Sequence, residues 1–174
     1  MKKEIITVQN VEIAISQQEK EDYICITDIA KAKSDNSRAA DVIKNWLRSR
    51  NTLEYLGTWE QIYNPDFKVV EFDHFKMQTG LHSFVLSVSE WIEQTNAIGM
   101  YVQRGKYGGT YAHKDIAFVF DSAISPVFKL YLIKEFQRLK ERENDAKQLE
   151  WNAKRFLSKN NYLIQTDAVK KYLW

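Results

Sequence analysis

The chain predicts an α+β fold, in which β-hairpins pack on a helix-turn-helix-like helical core in a winged-helix-like arrangement, with a long C-terminal helix. Three observations support this. Apolar and polar residues alternate with period two near the N-terminus and again within residues 98–120, IGMYVQRGKYGGTYAHKDIAFVF. Between those stretches the apolar spacing changes to three and four, with Ser, Thr or Asn at helix-starting positions. From Ser125-Pro126 onward the sequence stays compatible with a single helix.

Taken in order, residues 4–16 alternate as one strand, and residues 23–26 form a second after the polar turn 17–22. The two are expected to pair. Thr27 supplies the hydroxyl of an N-cap, and Asp28 suits the positive end of the helix dipole, so a short helix runs to about Ser34. Ser37 is the next cap candidate. The segment 37–50 sets Ala39, Val42, Ile43, Trp46 and Leu47 at helical spacing, with Lys44, Asn45, Arg48 and then Arg50 and Asn51 on the polar side. Two short, closely connected helices, the second basic on its polar face, meet the requirement of a helix-turn-helix unit; a surface helix with a merely solvated cationic face reads the same way.

Residues 51–54 open a further helix through Tyr63, with Leu53, Leu56 and Ile62 facing inward, and Asn64-Pro65 stops it. One or two helical turns fit 73–79 before Gly80, and 84–86 read as a short strand. Ser87 and Glu90 then form a capping box for a helix reaching about Thr95.

In the hairpin that follows, Met100, Val102, Thr110 and Ala112 share one face, and Tyr101, Gln103, Tyr111 and His113 share the other. The tip, Arg104-Gly105-Lys106-Tyr107-Gly108-Gly109, combines two cations and a tyrosine with turn-forming glycines. With Lys114 added, the segment 100–114 carries three named cations, Arg104, Lys106 and Lys114, and no acid. Such a tip is either an ordinary solvated turn or a contact for an anionic partner, with Tyr107 placed to stack on a base or sugar. Helical spacing resumes over 115–121. Asp-Ile-Ala opens the helix both here and at Asp28, each time directly after a strand, so two hairpin-then-helix units are expected to pack together.

The last helix is apolar at Phe128, Leu132, Phe136 and Leu139, then polar with a thin stripe of Ala146, Leu149, Ala153 and Phe156. That spacing suits either a coiled-coil seam for a homodimer or a helix folded back on its own domain. The expected division is a domain over 1–140 and a helical extension over 141–174.

At 174 residues, 44 % hydrophobic and 13 % aromatic, the chain builds one ordinary core rich in rings and is not disordered. No apolar run is long enough for a membrane helix and the start lacks a signal-peptide core, so a cytoplasmic protein is expected. Cys25 is the single cysteine, which excludes an intrachain disulfide, and its isoleucine neighbours suit a core side chain. The net charge of +2 conceals basic and acidic blocks: over 54–93 the acids Glu54, Glu60, Asp66, Glu71, Asp73, Glu90 and Glu93 face only Lys68 and Lys76.

Catalysis finds little footing. His74, His82 and His113 lie apart with no HExxH spacing, and the glycine turn lacks the ending of a phosphate-binding loop. Asp73-His74 and His82-Ser83 are adjacent residue types of hydrolytic triads, which are defined by geometry and not by adjacency. No cofactor, metal or small-molecule substrate is expected.

The runs YICITDIAKAK, NWLRSRNTLEYLGTWE, WIEQTNAIGM and GKYGGTYAHKDIAFVFDSAISPVFKLYLIKEFQRLK, in that order, resemble the KilA-N domain of phage, bacterial and large-DNA-virus proteins over about 15–140. The resemblance implies a DNA-binding module, distantly similar in fold to the DNA-binding domains of fungal APSES transcription factors. It places the family's NWLR-R-NT segment on Asn45, Trp46, Leu47, Arg48, Arg50, Asn51 and Thr52, and its GGT-AH-DIAF segment on Gly108, Gly109, Thr110, Ala112, His113 and 115–118. Residue chemistry and resemblance together nominate double-stranded DNA as partner and a role in phage or bacterial transcription regulation. Lys44, Asn45, Arg48, Arg50 and Asn51 are the candidates on the helix, and Gln103, Arg104, Lys106, Tyr107 and Lys114 those on the wing. His113 is expected to pack or to cap, and Trp46 and Trp91 to lie in the core. A protein-interaction adaptor acting through the C-terminal helix is the alternative.

Overall fold

In the computed structural model, which describes residues 2–34, 36–106 and 108–173, the N-terminal alternation is two strands and not one. β1 (Lys2–Val8) and β2 (Val11–Gln18) meet at Gln9-Asn10, where φ is 48° and 66°. β2 and β3 (Glu21–Cys25) meet at Glu19-Lys20, where φ is 49° and 69°. Two consecutive left-handed residues make the tight turn whose twist matches antiparallel strands. The turn at 9–10 went unread because it contains neither glycine nor proline. The pairing expected across 19–20 is present, with Ile15 opposite Ile24.

β4 (Met100–Gln103) and β5 (Gly109–His113) complete an antiparallel sheet of order β1-β2-β3-β5-β4. Met100 lies opposite Ala112, Val102 opposite Thr110 and Tyr101 opposite Tyr111, as the alternation requires. One face buries Ile6, Ile13, Ile15, Ile24, Met100 and Ala112. On the other, Tyr23, Cys25 and Tyr111 are buried together with Ala14 and Tyr101 packed against them, and the Tyr101 and Tyr111 rings stack at 5.0 Å. The sheet is curled around those rings. Lys3 on β1 donates a hydrogen bond to Gln103 Oε1 on β4 at 2.7 Å, whereas strands about 4.8 Å apart would hold the edges of a flat sheet roughly 19 Å from each other, beyond the reach of a lysine.

The helices are α1 (Ile26–Lys33), α2 (Ala39–Leu47), α3 (Arg50–Tyr63), α4 (Val69–Gln78), α5 (Val88–Thr95), α6 (Lys114–Ile124) and α7 (Pro126–Leu173). α6 is central, with Ile116, Ala117 and Phe120 buried. Trp46 of α2 meets Phe120 edge to face at 4.9 Å, and Trp91 of α5 is fully buried among Phe67, Phe72 and Phe75. Both tryptophans are core residues. Cys25 is buried too, its thiol pushed up to about 12 by burial and by Asp28, which removes it as a nucleophile.

Several boundaries differ from expectation for local reasons. Thr27 does not cap α1, which starts two residues earlier, at Ile26 after Cys25; its hydroxyl instead accepts from Thr110 N at 2.9 Å and ties β5 to the helix. Ser37 lies in a 3-10 turn (Asn36–Arg38) ahead of α2. α4 spans ten residues and not two turns, because Val69 and Val70 join it. Residues 84–86 are not a strand: Phe84 and Leu86 are buried outside the sheet. Ile62 faces outward, 67 % exposed, and Trp59 and Glu60 hold the inner face of α3 in its place. The caps at Ser87, accepting from Glu90 N at 3.1 Å, and at Ser125, accepting from Phe128 N at 3.2 Å, are as read from sequence.

Contacts divide the chain into two compact units, residues 1–135 and 136–174. Within the first, α7 buries Phe128 and Leu132. Within the second it is a polar helix that exposes Leu149, Trp151, Phe156, Leu157 and Tyr162 and carries the pair Lys154–Glu150 at 2.7 Å.

Candidate nucleic-acid interface

The helix expected over 37–50 is broken at its basic end. α2 stops at Leu47, where Arg48 caps it, and α3 starts at Arg50 after Ser49 in extended conformation. Lys44, Asn45, Arg48, Arg50 and Asn51 therefore sit on a corner between two helices and not on one helical face, and all are exposed. The corner forms because Trp46, Leu47, Leu53 and Leu56 are buried on both sides of it. Keeping both sets in the core removes their apolar surface from water, which favours the bend.

Two clefts flank the corner. Asn45, Arg48 and Ser49 face Gly80, Leu81, His82 and Phe84 across a volume of 330 Å³. Arg48 Nη2 donates to the His82 carbonyl at 3.4 Å, a long bond that leaves most of the guanidinium donors to other acceptors. Guanidinium, amide and hydroxyl donors converging there suit an anionic oxygen. Ser49 and the 80–84 loop were not nominated from sequence; the chain reversal at Gly80, with φ of 95°, was the available signal. Arg50 borders a separate cleft with Asp73, Lys76, Met77 and Thr79 and pairs with Glu54 at 3.2 Å.

The wing candidates divide likewise. Arg104 and Lys106 are exposed at the tip, where Gly105 has φ of 110° and accepts at its carbonyl from Gly108 N at 2.9 Å. Gln103 is half-buried and engaged by Lys3. Tyr107 lies outside the described residues. Lys114 is not on the wing: it is the first residue of α6, at the base of the hairpin, and lines a cleft with Glu19, Glu21 and Asp115.

That base is held by a carboxylate that the sequence reading counted only as part of an acidic block. Glu60 is 1 % exposed and accepts from Gly99 N at 2.6 Å, from Ile98 N at 3.0 Å and from Asn64 Nδ2 at 2.9 Å. Burial raises its pKa while these hydrogen bonds oppose the rise. A Cβ at Gly99 would fall 2.6 Å from Ile116 Cδ1 and 2.9 Å from Glu60 Oε1, so a side chain there would have to displace both. At the other strand, His113 caps α6: Nδ1 accepts from Asp115 N at 3.3 Å and Nε2 meets Glu21 Oε2 at 2.9 Å, a pattern matched by the tautomer protonated at Nε2. The capping role expected of His113 is the one observed.

A family model, KilA-N domain, matches residues 6–142. The chain belongs to the KilA-N domain family. KilA-N is a DNA-binding domain family and not an enzymatic one, which assigns a general DNA-binding role to this chain. No curated protein and no solved structure matches it significantly. The match covers the whole sheet except its first residues, α1 to α6 and the start of α7, so the corner, the β4–β5 hairpin and the Glu60 joint all belong to the KilA-N domain. No helix among the described residues is long and apolar enough to cross a membrane.

Proposed function

We propose that this KilA-N domain is the double-stranded-DNA-binding part of a phage or bacterial regulatory protein. The α2–α3 corner borders the major groove, and the hairpin tip holds phosphate or the adjacent minor groove. The observation that carries this is the exposed corner of Lys44, Asn45, Arg48 and Asn51 beside a donor-lined cleft. Arg48 is the principal contact, and Lys44 takes phosphate. Arg50 contributes less, because Glu54 already engages it. Arg104 and Lys106 at the tip supply sequence-independent affinity; Gln103 and Tyr107 are their neighbours in sequence.

The test is a duplex-binding titration over a range of salt. Arg48→Ala is expected to weaken binding roughly tenfold and to reduce the salt slope by about 0.9, the value for one lost phosphate contact, with Arg50→Ala giving a smaller loss. An intact fold with unchanged affinity and slope in Arg48→Ala overturns the corner as interface.

Self-association through α7 is supported by a separate observation. Leu149 and Phe156, seven residues apart, are 71 % and 65 % exposed on one side of the helix. Sedimentation of the full chain is expected to show a dimer that Leu149→Asp with Phe156→Asp converts to monomer. A monomer at high concentration that holds another protein and binds duplex weakly supports the adaptor reading.

A further inference from the structure

The base of the β4–β5 hairpin opens into a cleft of 730 Å³, distinct from the corner and from the wing tip. Its walls are aromatic: Tyr23, Trp59, Tyr63, Tyr101 and His113 line it. Glu19, Glu21 and Asp115 line it too, with Lys114 as the opposing charge. The volume lies in the range of small-molecule sites, which run from about 300 to 1,000 Å³.

The walls are fixed before any ligand arrives. Trp59 Nε1 donates to Asp115 Oδ2 at 3.1 Å, and the Tyr23 hydroxyl donates to the Ile98 carbonyl at 3.1 Å. His113 is held between Glu21 and Asp115 as described above. The Trp59 ring lies 4.9 Å from both the Tyr63 and the His113 rings, and Tyr23 meets Tyr101 edge to face at 5.3 Å. Tyr63 is 57 % exposed, so its ring surface remains open to the cleft mouth.

The local field is negative. The Tyr23 phenol is pushed up to about 12, first by burial and then by Glu60, Glu21 and Glu19. Phosphate is repelled by such a site, and a neutral apolar ligand would desolvate the carboxylates without pairing them. A cation gains from both features: carboxylates pair with its charge, and the faces of the rings carry negative quadrupole density.

We propose that this cleft binds an organic cation, an alkylammonium or guanidinium group, its charge among Glu19, Glu21 and Asp115 and its carbon frame against Tyr63 and Trp59. The site is independent of the DNA contacts. Along α3, at 1.5 Å per residue, Tyr63 stands roughly 20 Å from Arg50, and on the hairpin the cleft takes the base while Arg104 and Lys106 take the tip. Two sources present this chemistry, a free polyamine and a basic side chain of a peptide.

The experiment is titration of the 15N-labelled full chain, at fixed ionic strength, with spermidine, with N-acetyl-arginine amide and with the uncharged isostere N-acetyl-citrulline amide. The indole N–H resonance of Trp59 is followed. Saturable shifts are expected with at least one of the two cations and not with citrulline amide. Affinity should fall fivefold or more in Glu19→Gln and in Tyr63→Ala, two changes at exposed side chains that leave the thermal melt in place, while duplex affinity stays at the wild-type value. Response to spermidine alone assigns the free polyamine, and response to arginine amide alone assigns the peptide side chain. An equal response to citrulline amide, no saturable shift with either cation, or undiminished binding in both variants overturns the site.

Discussion

The two ends of one hairpin follow opposite physical rules. At the tip, Arg104, Gly105 and Lys106 are exposed, and the conformation rests on a glycine φ and a local turn. At the base, the backbone of Ile98 and Gly99 is clamped by a buried carboxylate, and His113 joins the last strand to α6. Four residues of strand thus separate an exposed surface from a joint that the fold depends on. Substitutions at the base are expected to change stability, and those at the tip to change binding.

The largest effect should come from Glu60→Ala. It leaves the buried Gly99 N–H and the part-buried Ile98 N–H without their acceptor and takes from Asn64 Nδ2 one of its two acceptors, a loss of about 3–5 kcal/mol summed over the donors affected, at about 1–3 kcal/mol for each one left unpaired. Urea denaturation checks it. A loss below about 1 kcal/mol would mean that the base is held by packing alone.

Next comes a pH effect in the helix that leaves the base. Asp121 is fully buried in α6, with no hydrogen-bond partner for either carboxylate oxygen among the described residues, and burial raises its pKa from 3.8 to about 7 against the opposing pull of Lys129. The folded state therefore holds the proton more tightly than the unfolded one. Its contribution is fully present below pH 3.8 and is lost as pH rises to about 7, a change on the order of 4 kcal/mol. Asp121→Asn should flatten that decline and give the more stable protein at pH 8. Parallel stability curves for variant and wild type between pH 4 and 8 would show that Asp121 does not titrate in this window.

How much of this was legible in the sequence follows from the range of the forces involved. Alternation and helical spacing are local, so the register of β4 on β5, the caps at Ser87 and Ser125 and the core placement of Trp46 and Trp91 could be read directly. The break at 48–49 could not, since nothing in Leu47-Arg48-Ser49-Arg50 forbids a continuous helix; burial on both sides of the corner decides it. Glu60 was hidden for the same reason. Its acceptors' partners lie 38 and 39 residues away, and by composition it is one acid among several. Lys114 was assigned to the wing by nearness in sequence, whereas the start of α6 carries it to the base.

A smaller loss, about 1–2 kcal/mol, is expected for His113→Ala, which removes the cap of α6 and the contact with Glu21 together. Because this lies at the base, the thermal midpoint should fall while duplex affinity, measured well below that midpoint, stays within twofold. A tenfold loss of affinity would move His113 from the joint into the interface.

The smallest stability change, and the sharpest contrast, belongs to the tip. Arg104 and Lys106 are exposed, so replacing both by alanine should shift folding stability by no more than about 0.5 kcal/mol. If the tip holds phosphate, the same double variant should lower the slope of log affinity against log salt by about two units, one for each lost contact, and weaken binding to all duplex sequences alike. A slope unchanged within error would leave the tip as a solvated turn and put the whole DNA contact on the α2–α3 corner. Weakening confined to one duplex sequence would instead make the tip a reader of bases, because a phosphate contact carries no sequence information.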